Sequence, residues 1–480
     1  MASLIEIRQE RLKKVVELRR LGIDPYPACS SRSHSNLEVV SKFSEFENKE
    51  VTLSGRLMSW REHGQIIFAD LQDPSGSIQL YIKNDELGGT NIEDQTIGFG
   101  DLNLLDVGDI VEARGLVTKT KNGTVSLAPK KLRILAKSIR SLPEKWEGVH
   151  DPEILHRQRY LDLIISPEHK WRFQKGAEIL FAIREFLNSK GFLEIKTPII
   201  QPTYGGTSAK PFKTKVNALG ADYYLAVAHE LYLKRLITAG FENVYNLVGY
   251  FRNEGIDRSH NPEFNMIETM TAYKNYEYNM DLTEELYKYI GQKVFSKTVF
   301  RIEGEEVDFA KPWRRVRMVD LVKEHTGQEL SGEKLIEVFE AEVEKKLIQP
   351  TFVMNHPVEV SPLAKALESD PRFVERFEIF IGGIEGGDNW SELNDPVELF
   401  KRFQDQHKKR LAGDEEAHPM DIEFIEMMEY GMPPTTGLGP GIERLTMMFT
   451  EAHSIDEVIF FPMLRPAPVS DLQKQIYSLE

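Results

Sequence analysis

Cysteine is nearly absent from this sequence: Cys29 is the single one in 480 residues. An intrachain disulfide is therefore excluded, and so is a metal site built from several thiolates. Long apolar runs are missing too, because no stretch approaches the roughly eighteen apolar residues of a membrane-spanning helix. The first residues mix charged and apolar side chains, unlike a signal peptide. We therefore expect a cytoplasmic protein with no membrane partner.

An excess of positive charge is also missing. The chain carries 60 Lys and Arg against 75 Asp and Glu, a formal net charge of −15. A protein that coats nucleic acid indiscriminately needs clustered cations, so this balance argues against general DNA binding and restricts any RNA contact to a local patch. The length is sufficient for two or three domains, each with its own core.

The one obviously basic element is the first segment, IRQERLKKVVELRRLG. Ile5, Leu12, Val16 and Leu18 fall roughly on one face of a helix, and Lys and Arg side chains cover the rest. Two interpretations stay open. The helix is either a solvated element that packs on its neighbour or a contact for the RNA backbone.

From about Val51 to Leu135 the chain changes to short runs rich in β-branched and aromatic residues. Turn signals such as DPSGS and KNG separate the runs VTLSGRLMSW, QIIFADLQD, SIQLYIKN, DIVEARGLVTKT and GTVSLAPKKLRIL. Five such strands predict a small barrel, and the OB-fold is the obvious candidate. Its sheet face would present Phe68 and Gln79 with Arg61 nearby, a set that suits unpaired bases. Taken alone, an aromatic in a barrel strand is more often a core residue.

A linker rich in charge and proline, SLPEKWEGVHDPE, leads into a larger domain. Helical periodicity covers Trp171 to Lys190, Gly191 ends the helix, and the strand FLEIKTPII follows, closed by Pro198 and Pro202. Further strands, such as DYYLAVA, NVYNLVGYF and EFNMIETMTAY, alternate with amphipathic helices. The pattern predicts a mixed α+β domain without internal repeats.

Three features follow one another in this domain: a helix and a strand ending in proline, then FRNEG followed by HNPEF, then GLGPGIERL near the C-terminus. Their order resembles the three motifs of the class II aminoacyl-tRNA synthetases. Whole blocks are similar to the lysine-specific members of subclass IIb, namely GIDPYP, RYLDL, AHELYLKRL, FRNEGIDRSHNPEF, HPVEVSPLAK, SELNDP and GMPPTTGLGPGIERL. One glycine-rich match is weak evidence, but seven ordered blocks are not plausibly chance.

The resemblance implies an α+β fold class, with an N-terminal OB-fold β-barrel and a class II synthetase catalytic domain built on an antiparallel sheet flanked by helices. We expect an N-terminal helix and lead-in over residues 1–46, the anticodon-binding barrel over 47–140, a linker over 141–165 and the catalytic domain over 166–480.

Two partners follow from the resemblance. In the family context, Arg61, Phe68 and Gln79 are expected to bind the anticodon of tRNA(Lys), which favours base stacking over a core position for Phe68. The helix from Phe173 and the strand to Pro198 match the motif at the dimer interface of this class, which implies a homodimer. The alternative is that the helix only covers its own sheet.

The implied reaction is the activation of lysine by ATP to lysyl-adenylate, followed by transfer to the 3′ end of the tRNA. Two anions must approach each other, so cations and positioning carry the chemistry. Arg252 would bridge the amino-acid carboxylate and the α-phosphate, Arg444 would hold the γ-phosphate, and Glu254 completes the expected catalytic set. The expected ATP-binding residues are Arg252, Glu254, His260, Asn261, Phe264, Gly439, Gly441 and Arg444, with Phe264 stacked on adenine.

Magnesium is the expected cofactor, with ATP as the co-substrate. Glu378 in RFEIFIGG and Glu385 in GGIEGG match the positions where the family binds this ion across the phosphates. Mg²⁺ prefers hard oxygen ligands and few protein contacts, with ATP supplying much of the shell. Without the resemblance, both glutamates would be interpreted as exposed strand residues.

A lysine pocket must take an ammonium out of water, so it needs carboxylates at its end and an acceptor for the α-amine nearer the mouth. The resemblance places Glu230 at the α-amine, Gly205 or Gly206 opposite it, and Glu268 and Glu392 at the side-chain end. No cation, which an aspartate enzyme would need, is evident there. The full expected set is Gly205, Gly206, Glu230, Arg252, Glu268, Met270, Asp388, Trp390 and Glu392.

Two positions in this set depart from the lysine enzymes. Met270 stands where they usually carry a tyrosine, and Asp388 stands where they carry an asparagine. Methionine offers no phenolic oxygen, and an aspartate near the substrate carboxylate would repel it unless it points elsewhere. Two other functions therefore stay open: a subclass IIb enzyme or paralogue with a different amino-acid substrate, and a non-catalytic RNA-binding relative.

Overall fold

The computed structural model describes residues 3–143, 152–207, 209–413 and 419–478. The chain divides into two compact units, Met1–His150 with Pro466–Glu480 and Asp151–Arg465. Most of the linker predicted at SLPEKWEGVHDPE lies outside the described residues. Within the described residues, no helix is long and apolar enough to cross a membrane.

The first unit contains a closed five-stranded barrel in the order β1-β2-β3-β5-β4. Its strands are β1 (Glu50–His63), β2 (Ile66–Gln72), β3 (Ser77–Lys83), β4 (Ile110–Lys119) and β5 (Val125–Ala136). Side chains alternate along them, so that Ile78, Leu80 and Ile82 of β3 are buried while Gln79 and Tyr81 are half-buried. The OB-fold barrel predicted from the sequence is confirmed.

Four helices precede or interrupt the barrel strands: α1 (Leu4–Arg20), α2 (Asn36–Ser41), α3 (Phe43–Phe46) and α4 (Asn84–Leu87). Ser3 caps α1 in a capping box with Glu6. Arg11 of α1 is buried and donates hydrogen bonds to backbone carbonyl oxygens. The prediction that Val16 lies on the buried face of α1 is wrong, because its side chain is 66% exposed. Arg11 lies on the buried face instead, where carbonyl oxygens accept its hydrogen bonds.

The second unit is organised around an eight-stranded sheet in the order β14-β15-β16-β17-β18-β11-β10-β6. It is antiparallel except for the parallel pairs β14–β15 and β10–β6. Strands β7, β9 and β8 form a small sheet, and β12 pairs with β13. The strands are β6 (Leu193–Glu194), β7 (Ile200–Gln201), β8 (Lys213–Val216), β9 (Ala221–Leu225), β10 (Asn243–Phe251), β11 (Glu263–Ala272), β12 (Val299–Ile302), β13 (Glu305–Asp308), β14 (Arg314–Arg317), β15 (Thr351–Met354), β16 (Arg376–Ile381), β17 (Ile384–Ser391) and β18 (Thr435–Pro440).

Helices flank this sheet, which confirms the predicted α+β class. They are α5 (Pro152–Arg157), α6 (Arg159–Ile165), α7 (Lys170–Ser189), α8 (Glu230–Thr238), α9 (Tyr276–Phe295), α10 (Met318–Thr326), α11 (Glu333–Glu342), α12 (Pro396–Leu411), α13 (Ile422–Glu429) and α14 (Ile442–Thr450). A further helix, α15 (Asp471–Tyr477), belongs to the first unit.

The main core of the second unit packs α7, α9 and α14 against one face of the sheet through residues such as Ile183, Tyr287 and Leu445. On the opposite face, α8, α12 and α13 pack in a second hydrophobic cluster that includes Met270, and the candidate site lies beside it. The predicted strand FLEIKTPII is reduced to β6 and β7. Pro198 lies in the gap between them, where a residue without an N–H cannot extend a ladder.

Candidate active site

The floor of the site is formed by β11, β18 and β17, which lie side by side in the sheet. Met270 pairs with Gly437, which pairs in turn with Trp390, so these three positions form one cross-strand row. A Cβ added to Gly437 would lie 2.6 Å from Cε of Met270. The glycine is therefore needed here to accommodate the methionine.

One cavity, of about 220 Å³, lies at one end of this floor. It collects side chains from three segments far apart in sequence: FRNEG, HNPEF and GLGPGIERL. All eight of the residues predicted to bind ATP line it, namely Arg252, Glu254, His260, Asn261, Phe264, Gly439, Gly441 and Arg444.

Arg444 is held in place by hydrogen bonds within this cavity. Its Nη1 donates to the backbone oxygen of Glu385 at 2.9 Å and approaches that residue's carboxylate at 3.3 Å, and its Nη2 lies 2.8 Å from Nε2 of His260. The other ring nitrogen of His260 contacts Asp257 at 2.8 Å. His260 is thus an orienting partner of Arg444, although its ring is half-exposed.

Arg252 lies between two cavities, because it lines both the one described above and a smaller one of about 70 Å³. Its guanidinium carbon is 5.2 Å from the ring centre of Phe264, which stacks in turn near Tyr250. Its Nε is buried and makes no hydrogen bond to any described residue. A buried donor without a partner at the meeting point of two cavities is positioned for an anionic ligand.

The smaller cavity collects the predicted lysine-binding residues. Eight of them line it, namely Gly206, Glu230, Arg252, Glu268, Met270, Asp388, Trp390 and Glu392, whereas Gly205 is buried and does not line it. Gly206 adopts φ +96°, and a Cβ there would lie 2.7 Å from Cγ of Glu230. Of the two glycines that the sequence left open, Gly206 is the one that faces Glu230.

Carboxylates dominate the end of the smaller cavity. Glu230, Glu268 and Glu392 are all at most 7% exposed. Burial raises the pKa of Glu268 to about 8, with repulsion from Glu230 adding to the shift. Burial likewise raises the pKa of Glu392 to about 8, although Lys234 opposes the shift. Burial therefore favours the protonated forms of Glu268 and Glu392, and a bound cation would take the place of the protons.

Lys234 is a site residue that the sequence reasoning missed. Its Nζ lies 3.0 Å from Oε1 of Glu230 and 2.6 Å from Oε2 of Glu392, with all three side chains nearly inaccessible. The available signal was its spacing, because Lys234 follows Glu230 by one helical turn on α8. The contact with Glu392 had no local signal.

Asp388 does not act as a free charge in the cavity. Arg376 binds it bidentately, with Nε 3.0 Å from Oδ1 and Nη2 2.7 Å from Oδ2, and also contacts Glu378 at 2.7 Å. The cross-strand pairing of Glu378 with Asp388 brings the two acids to one guanidinium. Arg376 was also missed from the sequence, and it screens the repulsion that an aspartate would exert on a substrate carboxylate.

Glu378 and Glu385 both line a third, acidic cavity of about 600 Å³, and Glu385 also lines the 220 Å³ cavity. Burial acts to raise the pKa of Glu378, but His356 and Arg376 outweigh it and hold the pKa at about 2. Among the described residues, no group of three or more His, Cys, Asp and Glu is arranged to hold a metal. Two carboxylates fit an ion that takes its remaining ligands from a nucleotide and water.

The barrel carries a separate polar and aromatic surface on β1, β2 and β3. Arg61, Phe68 and Tyr81 form one cross-strand row, and Gln79 lies in the next row opposite Asp70. The rings of Phe68 and Tyr81 are stacked, with centres 5.3 Å apart and planes at 11°. Phe68 is half-buried on this surface and is absent from the barrel core. Tyr81 belongs to this surface but was not predicted.

Comparison with known proteins assigns both units. A model described as class II tRNA synthetases (D, K and N) matches residues 151–465, and one described as an OB-fold nucleic acid binding domain matches residues 51–141. The chain belongs to the class II tRNA synthetases. The resemblance seen in the sequence blocks is thereby confirmed.

The similar members of that family considered next are all named for one amino acid, lysine. The chain is 46% identical to the lysine–tRNA ligase of Thermoanaerobacter sp. (strain X514), over 97% of this chain and 96% of the relative. It is 45% identical to the lysine–tRNA ligase of Syntrophomonas wolfei, over 97% and 98%. For the enzyme of that name from Pelotomaculum thermopropionicum the identity is 44%, over 97% and 96%.

Proposed function

We propose that this chain activates L-lysine with ATP to lysyl-adenylate and transfers the lysyl group to the 3′ end of tRNA(Lys). The observation that carries the proposal is the pair of cavities joined at Arg252. One is lined by the nucleotide-binding motifs, and the other ends in three buried carboxylates. An amino acid with a cationic side chain satisfies this arrangement, and the full-length relatives named lysine–tRNA ligase support it.

In the activation step, the lysine carboxylate attacks the α-phosphorus of ATP, and pyrophosphate leaves. Arg252 binds both reacting anions, since it lies where the two cavities meet, and Arg444 binds the γ-phosphate at the far end. Glu254, Asn261 and the backbone at Gly439 and Gly441 line the nucleotide, while Phe264 stacks on adenine. No general base is needed because the attacking carboxylate is already ionised.

Magnesium is the proposed cofactor, held by Glu378 and Glu385. Bound there, it would neutralise charge on the phosphates. His356 and Arg376 keep Glu378 ionised. Arg376 also donates a hydrogen bond to Glu378, and Arg444 contacts the Glu385 carboxylate. Arg444 and Glu385 both line the nucleotide cavity, so this contact links one of the two acids to the phosphate-binding side of the site.

The two amines of the substrate bind to the acidic groups of the small cavity. Glu230, opposite Gly206, accepts from the α-amine, and Glu268 and Glu392 receive the terminal ammonium. Lys234 offsets one of the three carboxylates. The bound lysine brings two positive charges for the other two and one negative charge for Arg252. Met270 and Trp390 supply the apolar walls for the methylene chain.

The barrel surface is proposed to read the anticodon. Phe68 stacks on an unpaired base, supported by Tyr81, while Arg61 and Gln79 offer hydrogen bonds. A two-fold homodimer through α7 and the following strand, and a cytoplasmic location beside the translation machinery, complete the proposal.

The test is ATP–pyrophosphate exchange with magnesium across all twenty amino acids, for the wild type and for Arg252→Ala. We expect exchange with lysine alone and a loss of at least a hundredfold in Arg252→Ala. Arg314→Ala, which removes a surface ion pair with Glu324 at the sheet edge, is the matched control and should retain full activity.

The alternatives predict different results in the same assay. Exchange with another amino acid would keep the mechanism but refute lysine as the substrate. The departure at Met270 is the reason to test this alternative. Absence of exchange with every amino acid would favour a non-catalytic RNA-binding protein. Charging of tRNA(Lys) by the wild type then tests the second step.

A further inference from the structure

Glu392, at the closed end of the small cavity, has two very different oxygen atoms. Its Oε2 accepts a hydrogen bond from the indole Nε1 of Trp390 at 2.9 Å and lies 2.6 Å from Nζ of Lys234. Its Oε1 is buried and has no hydrogen-bond partner among the described residues. The carboxylate is therefore held in place through Oε2, and Oε1 remains available to accept a hydrogen bond from a ligand.

Met270, at the same end of the cavity, carries no group that can donate a hydrogen bond. Its side chain is 2% exposed and packs against Gly437, two positions from the acid Glu268 on the same strand face. A thioether cannot donate a hydrogen bond, so Met270 offers none to the acids of the cavity. The indole of Trp390, in the same cross-strand row, is a neutral donor within reach of Glu392.

Building on the proposed function, we infer that the Trp390 indole N–H is a specificity-determining positioning group. Together with Lys234, it fixes Glu392 so that Oε1 receives the terminal ammonium of lysine, and it supplies the donor that Met270 lacks.

The ammonium of Lys234 and the indole N–H of Trp390 have different effects on Glu392. Lys234 neutralises charge but is shared between Glu230 and Glu392, so it does not by itself define the rotation of the Glu392 carboxylate. The indole adds a second, directional contact without adding a positive charge that would repel the substrate. It also orders Glu392 before lysine arrives, which reduces the ordering required on binding.

The experiment measures the KM for lysine, the KM for ATP and kcat in ATP–pyrophosphate exchange for Trp390→Phe. Phenylalanine keeps the aromatic wall and deletes the N–H. We expect the KM for lysine to rise about tenfold, as for loss of a hydrogen bond to a charged group, with the KM for ATP unchanged. Trp60→Phe, which deletes an exposed indole N–H bonded to Glu62 on the barrel, is the matched control and should change neither constant.

Two further measurements separate positioning from a structural defect. The inhibition constant of norleucine, which has no terminal amine, should stay the same in Trp390→Phe, because only the ammonium contact is affected. The double variant Met270→Tyr/Trp390→Phe should recover most of the lysine affinity, since the phenol restores a donor near Glu392.

An unchanged lysine KM in Trp390→Phe would overturn the inference, and so would equal weakening of lysine and norleucine. These outcomes leave the proposed function intact, because wild-type exchange with lysine remains. Absence of lysine exchange in the wild type would instead refute the proposed function itself.

Discussion

Lysine binding is expected to release protons near neutral pH. In the free protein, burial and repulsion from Glu230 raise the pKa of Glu268 to about 8. At pH 7 the protonated form then exceeds the ionised form by about tenfold, since one pH unit below the pKa corresponds to one factor of ten. An ammonium ion binds the ionised form, so lysine must displace about 0.9 proton from this group at pH 7. Glu392 adds to the release because its pKa is also raised to about 8.

The same shift sets the pH dependence of lysine affinity. About 1% of Glu268 is ionised at pH 6 and about half at pH 8, so the affinity should rise about fiftyfold over this interval. The substrate's side-chain amine stays protonated throughout, with a pKa of about 10.4. Because the folded-state pKa of Glu268 is raised, its contribution to the stability of the free protein is complete below pH 4.5 and is lost as the pH rises through 8. Thermal stabilisation by lysine should therefore grow over that window.

Calorimetric titration with lysine in buffers of different ionisation enthalpy measures the proton release directly. Glu268→Gln removes the titrating carboxyl and should lower the release by about one proton per lysine. Glu285→Gln, on an exposed part of α9, is the control and should leave the release unchanged. Binding without proton release, together with constant affinity from pH 6 to 8, would refute the reasoning and show that Glu268 is already ionised in the free cavity.

Three further outcomes are expected. Gly206→Ala should abolish lysine-dependent exchange while ATP binding by fluorescence titration persists, because the new Cβ would lie 2.7 Å from Cγ of Glu230 at a φ of +96°; retained lysine KM would contradict this. Phe68→Ala should raise the KM for tRNA(Lys) by the loss of about 1–3 kcal/mol of stacking, with exchange and melting temperature unchanged; a drop in melting temperature would indicate a core residue instead. Lys137→Met leaves Asp109 as a fully buried carboxyl without its ion-pair partner, and urea unfolding should show the barrel destabilised by about 3–5 kcal/mol; an unchanged midpoint would exclude that pair as a source of stability.

Much of the fold could be predicted because periodic patterns act locally. The alternation along SIQLYIKN requires a strand with Ile78, Leu80 and Ile82 inside, and α7 begins and ends within one residue of the predicted helix from Trp171 to Lys190. The pattern failed where a long-range partner overrode it. At α1, Arg11 is buried because distant carbonyl oxygens accept its hydrogen bonds, and Val16 is exposed.

The residues of the site also fall into two groups, those that local motifs predicted and those that depend on long-range contacts. Motif residues such as Arg252 and Arg444 could be named from their sequence blocks, and the structure brings them to one cavity. The residues that were missed, Lys234 and Arg376, act through contacts whose partners come from other elements. Lys234 reaches Glu392, and Arg376 holds Asp388 across a strand pair.

By itself, the sequence determined the class of this protein and the chemical types that line its site, because these follow from ordered motifs and local periodicity. Only the tertiary structure decided how the departures at Met270 and Asp388 are accommodated. Gly437 on the neighbouring strand makes room for the methionine, and Arg376 forms a bidentate ion pair with the aspartate. The physical reason is that the charge and space around a buried side chain are set by cross-strand neighbours, and strand register is a property of the folded sheet.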